Sequence, residues 1–340
     1  MKRRHFINSV ALLSGGILIP AKKAAGISDN TFEGLSKNYP DEETFWKTVR
    51  EQFIFPEDYA YLNTGGIGAV PALVLNKVSQ SMNELEIYPK PGHDHNKWME
   101  IKEKCTGLLG SDINKEELAL ISTATEGINI VINGLPLSKG DEVITSTHEH
   151  PALHVPLLNK MQRNGINIKS FVPDFKSGLG NVEKIKNLIT KRTRLVFLSH
   201  ITCTTGQCFP LKEIGQLTRD KNIWFAVDGA QAVGSMSMEI KKWNIDFYTY
   251  SGHKWTLGPK RTGVLFVRED LLEILRPTTV GAYSDDGYDI VKLELKLNPT
   301  AQRYEYATQN EALFWGMGKG VDFVKTIGLQ RIWEDRKSVV

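Results

Sequence analysis

Cysteine is scarce in this sequence, which has 340 residues and only three cysteines. They are Cys105, Cys203 and Cys208, and none belongs to a CxxC pair. So few cysteines exclude a scaffold held by disulfides, and their spacing does not match a structural zinc site. With 41% hydrophobic and 24% charged residues, the chain instead has the composition of a globular protein with a large core.

Positive charge is equally scarce outside the N-terminus. The formal net charge is +3, but residues 1–25 carry five basic residues and no acidic one, so the rest of the chain has a net charge of −2. Proteins that bind the nucleic-acid backbone need a broad positive surface. The composition therefore argues against a nucleic-acid partner.

The sequence also lacks the familiar phosphate-binding loops. Gly66 and Gly68 could open a dinucleotide fingerprint, but its third glycine would fall on Pro71. No Walker sequence occurs anywhere in the chain. Any phosphate site must therefore be built in another way.

Long hydrophobic runs are absent, and the one short run lies in residues 1–25. Arg3 and Arg4 precede Phe6, and the apolar stretch 10–19 is too short to cross a bilayer. This layout is typical of an export signal, and the arginine pair resembles the twin-arginine motif. We expect a periplasmic protein exported by the Tat machinery, with no stable membrane insertion; an ordinary Sec leader is the alternative.

After the leader, apolar strands alternate with amphipathic helical stretches. The pattern predicts strands at 118–122, 142–147, 166–172, 195–199, 224–227, 247–250 and 263–267, and helices at 128–135, 152–164, 182–189 and 211–221. Such alternation indicates an α/β fold whose mainly parallel sheet is covered on both faces. Ligands of these sheets bind beyond the carboxyl ends of the strands.

Four predicted strands are followed by residues that could bind a ligand or take part in a reaction. Residues 123–126, Thr-Ala-Thr-Glu, would open a helix whose N–H groups form an anion pocket, although an ordinary capping box between Thr123 and Glu126 explains them as well. Asp228 ends a buried strand, where a carboxylate needs either a cationic partner or a role as a helix N-cap. Lys254 lies among glycines and aromatics, and it is either a carbonyl nucleophile or a solvated loop lysine.

Three histidines follow the second strand. His148, His150 and His154 lack a fourth ligand at matching spacing, so a metal cluster is the weaker interpretation. An imidazole at His150 is better suited to stacking on an aromatic ring. An anion pocket, an acid for a ring cation, a stacking partner and an amine together predict pyridoxal 5′-phosphate (PLP) as the cofactor.

The order of these motifs resembles the class V aminotransferases, a group of fold type I PLP-dependent enzymes that includes cysteine desulfurases and isopenicillin N epimerase-like proteins. The similarity runs from about residue 61 to 333. It is strongest in Val-Asp-Gly-Ala-Gln at 227–231 and Ser-Gly-His-Lys at 251–254. The resemblance implies a three-layer αβα sandwich, with a leader at 1–25, an N-terminal segment at 26–60, a large PLP-binding domain at 61–300 and the start of a truncated small domain at 301–340.

The resemblance also assigns roles to particular residues. It implies that Lys254 forms a Schiff base with the cofactor and then moves protons at the substrate α-carbon. Asp228 would pair with the pyridinium nitrogen, and Gln231 would donate to the ring hydroxyl. The remaining roles are stacking by His150, a phosphate cup and a contact from Thr308 to the phosphate of a neighbouring subunit in a homodimer; the predicted cup residues are Ala124, Thr125, Ser251 and His253.

The reaction stays open at this level. Residues 63–71 look more like the epimerase-like branch, which implies a PLP-dependent enzyme acting on an amino acid as an epimerase, transaminase or lyase. The alternatives are a cysteine desulfurase or C–S lyase, and a truncated PLP-binding protein without activity. No cysteine can be assigned the desulfurase role. The family's small domain normally supplies the arginine that binds the substrate carboxylate, and the expected truncation of that domain after Arg303 would remove it.

Overall fold

The computed structural model describes residues 39–90 and 92–338, so the expected export leader lies outside the described residues. These residues form two compact units that divide after Tyr59. In the first unit, helix α1 (Glu42–Glu51) begins at Asp41, whose carboxylate caps the helix by accepting a hydrogen bond from Thr44 N–H at 2.7 Å. The Arg50 guanidinium donates to the carbonyl oxygens of Pro56 and Tyr59 and so ties the segment that follows the helix to the last turn of the helix.

The second unit is an α/β fold built around a seven-stranded sheet. Its strands are β1 (Leu118–Ile121), β2 (Glu142–Ser146), β3 (Asn167–Phe171), β4 (Thr193–Ser199), β5 (Trp224–Asp228), β6 (Phe247–Ser251) and β7 (Gly263–Val267). The spatial order is β1-β7-β6-β5-β4-β2-β3. Only β7 runs antiparallel to its neighbours, so the expected mainly parallel sheet is confirmed.

Helices cover both faces of the sheet. They are α2 (Ala72–Ile87), α3 (His95–Leu109), α4 (Ala124–Gly134), α5 (Pro151–Asn164), α6 (Gly178–Leu188), α7 (Leu211–Asp220), α8 (Glu311–Ile327) and α9 (Leu329–Ser338). Each of the helices predicted from the sequence corresponds to one of these, with ends that differ by a few residues. No helix within the described ranges is long and apolar enough to cross a membrane.

The core consists of two apolar clusters, one on each face of the sheet. Alternate strand residues enter opposite clusters: Val264 and Phe266 of β7 pack on one face, while Leu265 and Val267 pack on the other. The first face is covered by α3, α6, α7 and α8, and the second by α4 and α5. Burial on both faces explains why the central strands are almost continuously apolar. The expected three-layer sandwich is thereby confirmed.

A two-stranded hairpin lies apart from the main sheet. It consists of β8 (Asp285–Asp289) and β9 (Glu294–Leu297), which pair antiparallel. Its apolar side chains are largely exposed; they include Tyr288, Ile290, Val291 and Leu293. The sequence analysis did not predict this hairpin.

The topology places several strand ends at one edge of the sheet. Because β7 runs antiparallel between β1 and β6, β1 and β6 are parallel to one another, and both point the same way as β2, β4 and β5. The segments that follow these five strands therefore meet at the same edge.

Candidate active site

A cavity of about 560 Å³ opens at this edge, a volume suited to a small organic ligand. Eight of the nine residues predicted for the site line it: Ala124, Thr125, His150, Asp228, Gln231, Ser251, His253 and Lys254. The ninth, Thr308, is exposed and lies outside the cavity lining. The strand-end rule thus brings together residues from four separate parts of the chain.

Asp228 is the acid at the floor of the cavity, with only 5% of its surface exposed. Its Oδ1 accepts a hydrogen bond from the Ala230 N–H at 2.9 Å, and no described residue donates to Oδ2. Burial raises the pKa of the Asp228 carboxyl, although the Ala230 hydrogen bond and the nearby Lys254 charge act in the opposite direction. A buried carboxylate with one free oxygen fits a cationic group of a ligand.

Lys254 follows β6 and is half-buried in the cavity wall. Its Nζ forms no hydrogen bond or ion pair with any residue in the described ranges. The backbone of this segment is held in place by Gly68, whose N–H donates to the His253 carbonyl at 2.7 Å. An amine that is positioned by its backbone but has no partner can react with a carbonyl group.

His150 is the N-cap of α5. Its Nδ1 accepts a hydrogen bond from the Ala152 N–H at 3.0 Å, so the ring orientation is fixed. Partial burial and the nearby Lys254 charge lower the pKa of His150, which keeps the ring neutral at pH 7. A neutral, oriented imidazole on the cavity wall is suited to stacking on a flat ligand.

Next to His150, Glu149 joins two strand ends. Its buried carboxylate accepts hydrogen bonds from the Ser146 hydroxyl after β2 and from the Ser199 N–H at 2.8 Å. Burial raises the pKa of Glu149. This residue therefore fixes the turn that carries His150, a role that the sequence analysis did not assign.

The phosphate cup predicted from the sequence is partly built from internal contacts. The Ala124 N–H donates to the Ser251 Oγ at 2.9 Å, which ties the start of α4 to the end of β6. Among the described residues, none accepts from the Thr125 N–H, which remains available to a ligand. The Nδ1 of His253 is buried and has no hydrogen-bond partner in the described part of the chain.

The capping-box alternative for α4 is only half correct. Thr123 does cap the helix, because its hydroxyl accepts from the Glu126 N–H at 3.2 Å. The Glu126 carboxylate, however, accepts from the N–H of Ser122 at 2.7 Å rather than from Thr123. The carboxylate therefore turns back to the end of β1, and the helix N-terminus stays open towards the cavity.

Gln231 is held by two neighbours on the cavity wall. Its Nε2 donates to the Gly65 carbonyl at 2.9 Å, and its Oε1 accepts from the Trp255 Nε1 at 2.8 Å. One amide hydrogen of Gln231 remains for a ligand. Gly65 belongs to a segment whose contribution to the cavity was not predicted; its lining residues are Leu62, Asn63, Gly65 and Gly66.

The loop after β4 is a second contribution that the sequence analysis missed. Its lining residues are Ile201, Thr202, Cys203 and Gly206. Cys203 carries a free thiol on the cavity wall, and partial burial raises the pKa of this thiol. The strand-end rule would have found this loop if it had also been applied to β4.

The histidines do not form a metal centre. His154 Nε2 contacts the carbonyl oxygen of Ser146 at 2.9 Å, and the ring of His148 lies against Phe175. Within residues 39–90 and 92–338, no group of three or more His, Cys, Asp or Glu side chains is arranged to hold a metal ion.

Comparison with known proteins identifies the family. A sequence profile described as Aminotransferase class-V matches residues 80–340. The chain belongs to the class V aminotransferase family. This is a family of PLP-dependent enzymes, so the fold type I architecture and the cofactor expected from the sequence are those of the family.

Several proteins that are similar to this chain are named as cysteine desulfurases or as a C–S lyase. It is 29% identical over 295 residues to a probable cysteine desulfurase of Methanothermobacter thermautotrophicus, covering 84% of this chain and 71% of that protein. A solved structure of a C-DES variant with glycine covalently linked to its PLP cofactor is similar at 25% identity and a TM-score of 0.74, covering 85% of this chain and 76% of that one.

A second C-DES structure is titled a cystine C–S lyase in complex with its product, cysteine persulfide. It is 26% identical with a TM-score of 0.71, covering 80% of this chain and 73% of that one. The chain spans only 59% of the length of a probable cysteine desulfurase of Pyrococcus abyssi and 55% of that of a cysteine desulfurase of an Enterobacter species.

Proposed function

We propose that this protein binds PLP covalently through Lys254 and acts on a small amino acid. The observation that carries the proposal is the partnerless amine of Lys254 in the same cavity as the buried carboxylate of Asp228. The residues present fit the cofactor: Asp228 offers a free oxygen to a ring cation, and His150 offers a flat neutral ring. The free N–H of Thr125 and the hydroxyl of Ser251 are suited to a phosphate.

When bound, PLP supplies an aldehyde that captures amines and a ring that accepts the electrons of a broken substrate bond. The residues of the chain would support this chemistry. Asp228 would hold a proton on the ring nitrogen, because its ionised carboxylate stabilises that cation. Lys254 would give or take a proton at the substrate α-carbon, and Gln231 would donate its remaining amide hydrogen to the ring hydroxyl.

Among possible reactions, we favour cleavage of the carbon–sulfur bond of cysteine or cystine. The names of the relatives support this choice, which is the alternative that the sequence analysis weighed against an epimerase. Racemisation is retained as the second candidate, because the segment that suggested the epimerase-like branch lines the cavity through Asn63, Gly65 and Gly66.

Cofactor binding is tested by titrating the purified protein with PLP and trapping the complex with borohydride. We expect the visible absorbance band typical of lysine-bound PLP and a pyridoxyl adduct on the peptide that contains Lys254. Lys254→Ala should abolish the adduct, whereas Lys260→Ala, an exposed lysine nearby, should retain it. A protein that stays colourless and yields no adduct would refute the proposal.

The reaction is tested by offering L-cysteine, L-cystine and L-alanine to the PLP-loaded protein. Sulfide, alanine or pyruvate from the sulfur amino acids would support carbon–sulfur cleavage. D-alanine from L-alanine would support racemisation instead. Binding of PLP with no product from any of them would favour the third possibility, a PLP-binding protein without turnover.

We also propose a homodimer, in which Thr308 contacts the phosphate in the partner's site. The support is the exposure of Thr308 away from its own cavity, on a loop anchored by the hydrogen bond from the Gln309 N–H to His93 Nε2 at 2.9 Å. Sedimentation should give a dimer, and Thr308→Ala should weaken PLP binding. A monomer with full PLP affinity would contradict this assignment.

Export through the twin-arginine route is a further proposal. Its support is the arginine pair at residues 3 and 4 and the need to carry a protein already folded around a cofactor made in the cytosol. Replacing both arginines by lysine should keep the protein in the cytoplasm. Finding the mature protein in the periplasm of cells in which only the Sec route operates would contradict it.

A further inference from the structure

Two buried aromatic side chains lie behind the cavity and take no part in the function proposed above. Tyr248, on β6, is fully buried, and His200, directly after β4, is 2% exposed. The Tyr248 hydroxyl lies 2.9 Å from the His200 Nδ1. This pair therefore links β6 to the end of β4, the two strands that flank β5, which ends in Asp228.

Both members of the pair contact the backbone around Asp228. The His200 N–H donates to the Asp228 carbonyl oxygen at 2.8 Å. The Tyr248 ring occupies the space next to Gly229, where an added Cβ would lie only 2.0 Å from a ring carbon. Residue 229 therefore has to be glycine as long as the Tyr248 ring lies against this turn.

Burial decides the charge state of both partners. It lowers the pKa of His200 to about 3 and raises the pKa of Tyr248 well above its usual value, so both groups are neutral near pH 7. The hydroxyl and Nδ1 therefore share one neutral hydrogen bond, and the tautomer of His200 sets its direction. The negative charge of Asp228 contributes to the raised pKa of Tyr248, which means that the hydroxyl lies within electrostatic range of that carboxylate.

We propose that Tyr248 and His200 are positioning residues that fix the carboxylate of Asp228 for the pyridine nitrogen of PLP. The proposal rests on the function proposed for Asp228 and adds the residues through which it is oriented. His200 holds the carbonyl side of Asp228, and Tyr248 supports the turn on its other side. Without the hydroxyl, the ring of Tyr248 loses its fixed partner and the buried His200 Nδ1 is left without its hydrogen bond.

The test compares Tyr248→Phe with Tyr250→Phe. Tyr250 is a matched control because it lies two residues along the same strand, is equally buried and has a hydroxyl with no hydrogen-bond partner among the described residues. PLP affinity is measured by quenching of protein fluorescence. We expect the dissociation constant for PLP to rise about 3- to 10-fold in Tyr248→Phe, the factor for losing one buried hydrogen bond, and to stay unchanged in Tyr250→Phe.

A second arm repeats the titration in an Asp228→Asn background. If Tyr248 acts through Asp228, adding Tyr248→Phe to Asp228→Asn should change the dissociation constant less than twofold, although both proteins lose thermal stability. If Tyr248→Phe fails to fold, His200→Leu removes the side-chain partner of the hydroxyl while keeping the backbone N–H and serves the same comparison. The pH midpoint of the absorbance change of bound PLP should also shift in either variant.

The outcomes separate the two proposals. A wild-type protein that binds no PLP would overturn the proposed function together with this inference. Tight PLP binding by the wild type with equal affinity in Tyr248→Phe would overturn the inference alone. Equal losses of affinity in Tyr248→Phe and Tyr250→Phe would also overturn it, because such losses would reflect packing rather than the hydroxyl.

Discussion

Replacing Gly68 by alanine should disturb Lys254 without touching its side chain. A Cβ at residue 68 would lie 2.3 Å from the Lys254 carbonyl oxygen and 3.1 Å from that of His253. The first distance is about 1 Å shorter than ordinary van der Waals contact, so one of the two backbone segments must move. Small-to-large changes of this kind cost about 1 to 3 kcal/mol in unfolding free energy.

The larger effect should appear in turnover. The segment that must move carries Lys254, and displacing a reacting group by about 1 Å lowers rates by on the order of 100-fold. Under the proposed function, we therefore expect Gly68→Ala to bind PLP at Lys254, because the flexible side chain still reaches the cavity, but to turn over the proposed substrate L-cysteine about 100-fold more slowly than the wild type.

The measurement combines urea unfolding, borohydride trapping and the initial rate with L-cysteine. Gly178→Ala is the matched control, since Gly178 is exposed at the start of α6 and an added Cβ there meets no atom within 4 Å. The control should be as stable as the wild type or up to about 1 kcal/mol more stable. A Gly68→Ala protein with wild-type stability and turnover would refute the argument that this glycine positions the lysine.

Three other changes test the core around the site. His200 is neutral when buried, with a pKa of about 3, so the unfolded protein binds a proton at this residue more readily than the folded protein does. The free energy of unfolding should therefore fall by about 1.4 kcal/mol per pH unit as the pH drops from 6.5 towards 3. Urea unfolding of His200→Gln across this pH range should lack this pH dependence. Arg303→Met should cost about 3 kcal/mol by removing the charged donor to the Leu272 carbonyl at 2.6 Å, with PLP affinity unchanged in a titration. Glu305→Gln should cost about 3 to 5 kcal/mol in urea unfolding, because it leaves the Lys102 charge, now 2.8 Å from that carboxylate, buried without a counterion.

Each of these expectations has an opposing result. An unchanged pH slope in His200→Gln would mean that another group is responsible for the loss of stability in acid. Loss of PLP affinity in Arg303→Met without loss of stability would give Arg303 a role in the site that its buried position does not suggest. A Glu305→Gln protein as stable as the wild type would mean that the buried pair contributes no net stabilisation.

The sequence was sufficient to predict the parallel layers and eight of the residues that line the cavity. Each central strand is buried on both faces, so it appears as an apolar run, and Asp228 is conspicuous because it ends such a run. The same reasoning located His150 and Lys254, since parallel strands bring their carboxyl ends to one edge. Each of these residues is visible in a local pattern, and the rule that parallel strands end at one edge of the sheet places them together.

Other features depend on contacts that no local pattern encodes. The Glu126 carboxylate could accept from the N–H of Thr123 or from that of Ser122, which lie three and four residues before it. Only the folded chain shows that it accepts from Ser122. Gly65 reaches the cavity because Gln231, more than 160 residues away in sequence, binds its carbonyl. The hairpin of β8 and β9 has exposed apolar residues in place of the half-buried alternation that identifies a strand, so its sequence gives little signal.

The antiparallel strand β7 has a consequence for how the protein is made. It pairs Ile121 of β1 with Gly263 and Ser251 of β6 with the same glycine, so within the sheet the two halves of the predicted phosphate cup are joined by a strand encoded about 140 residues after the first. Until that strand has left the ribosome, β1 has no partner on this side, and its hydrogen-bonding edge stays open to other chains. Synthesis of residue 267 thus marks the earliest moment at which the nascent chain can assemble a cofactor pocket, and a chaperone that shields the early strand would act before it.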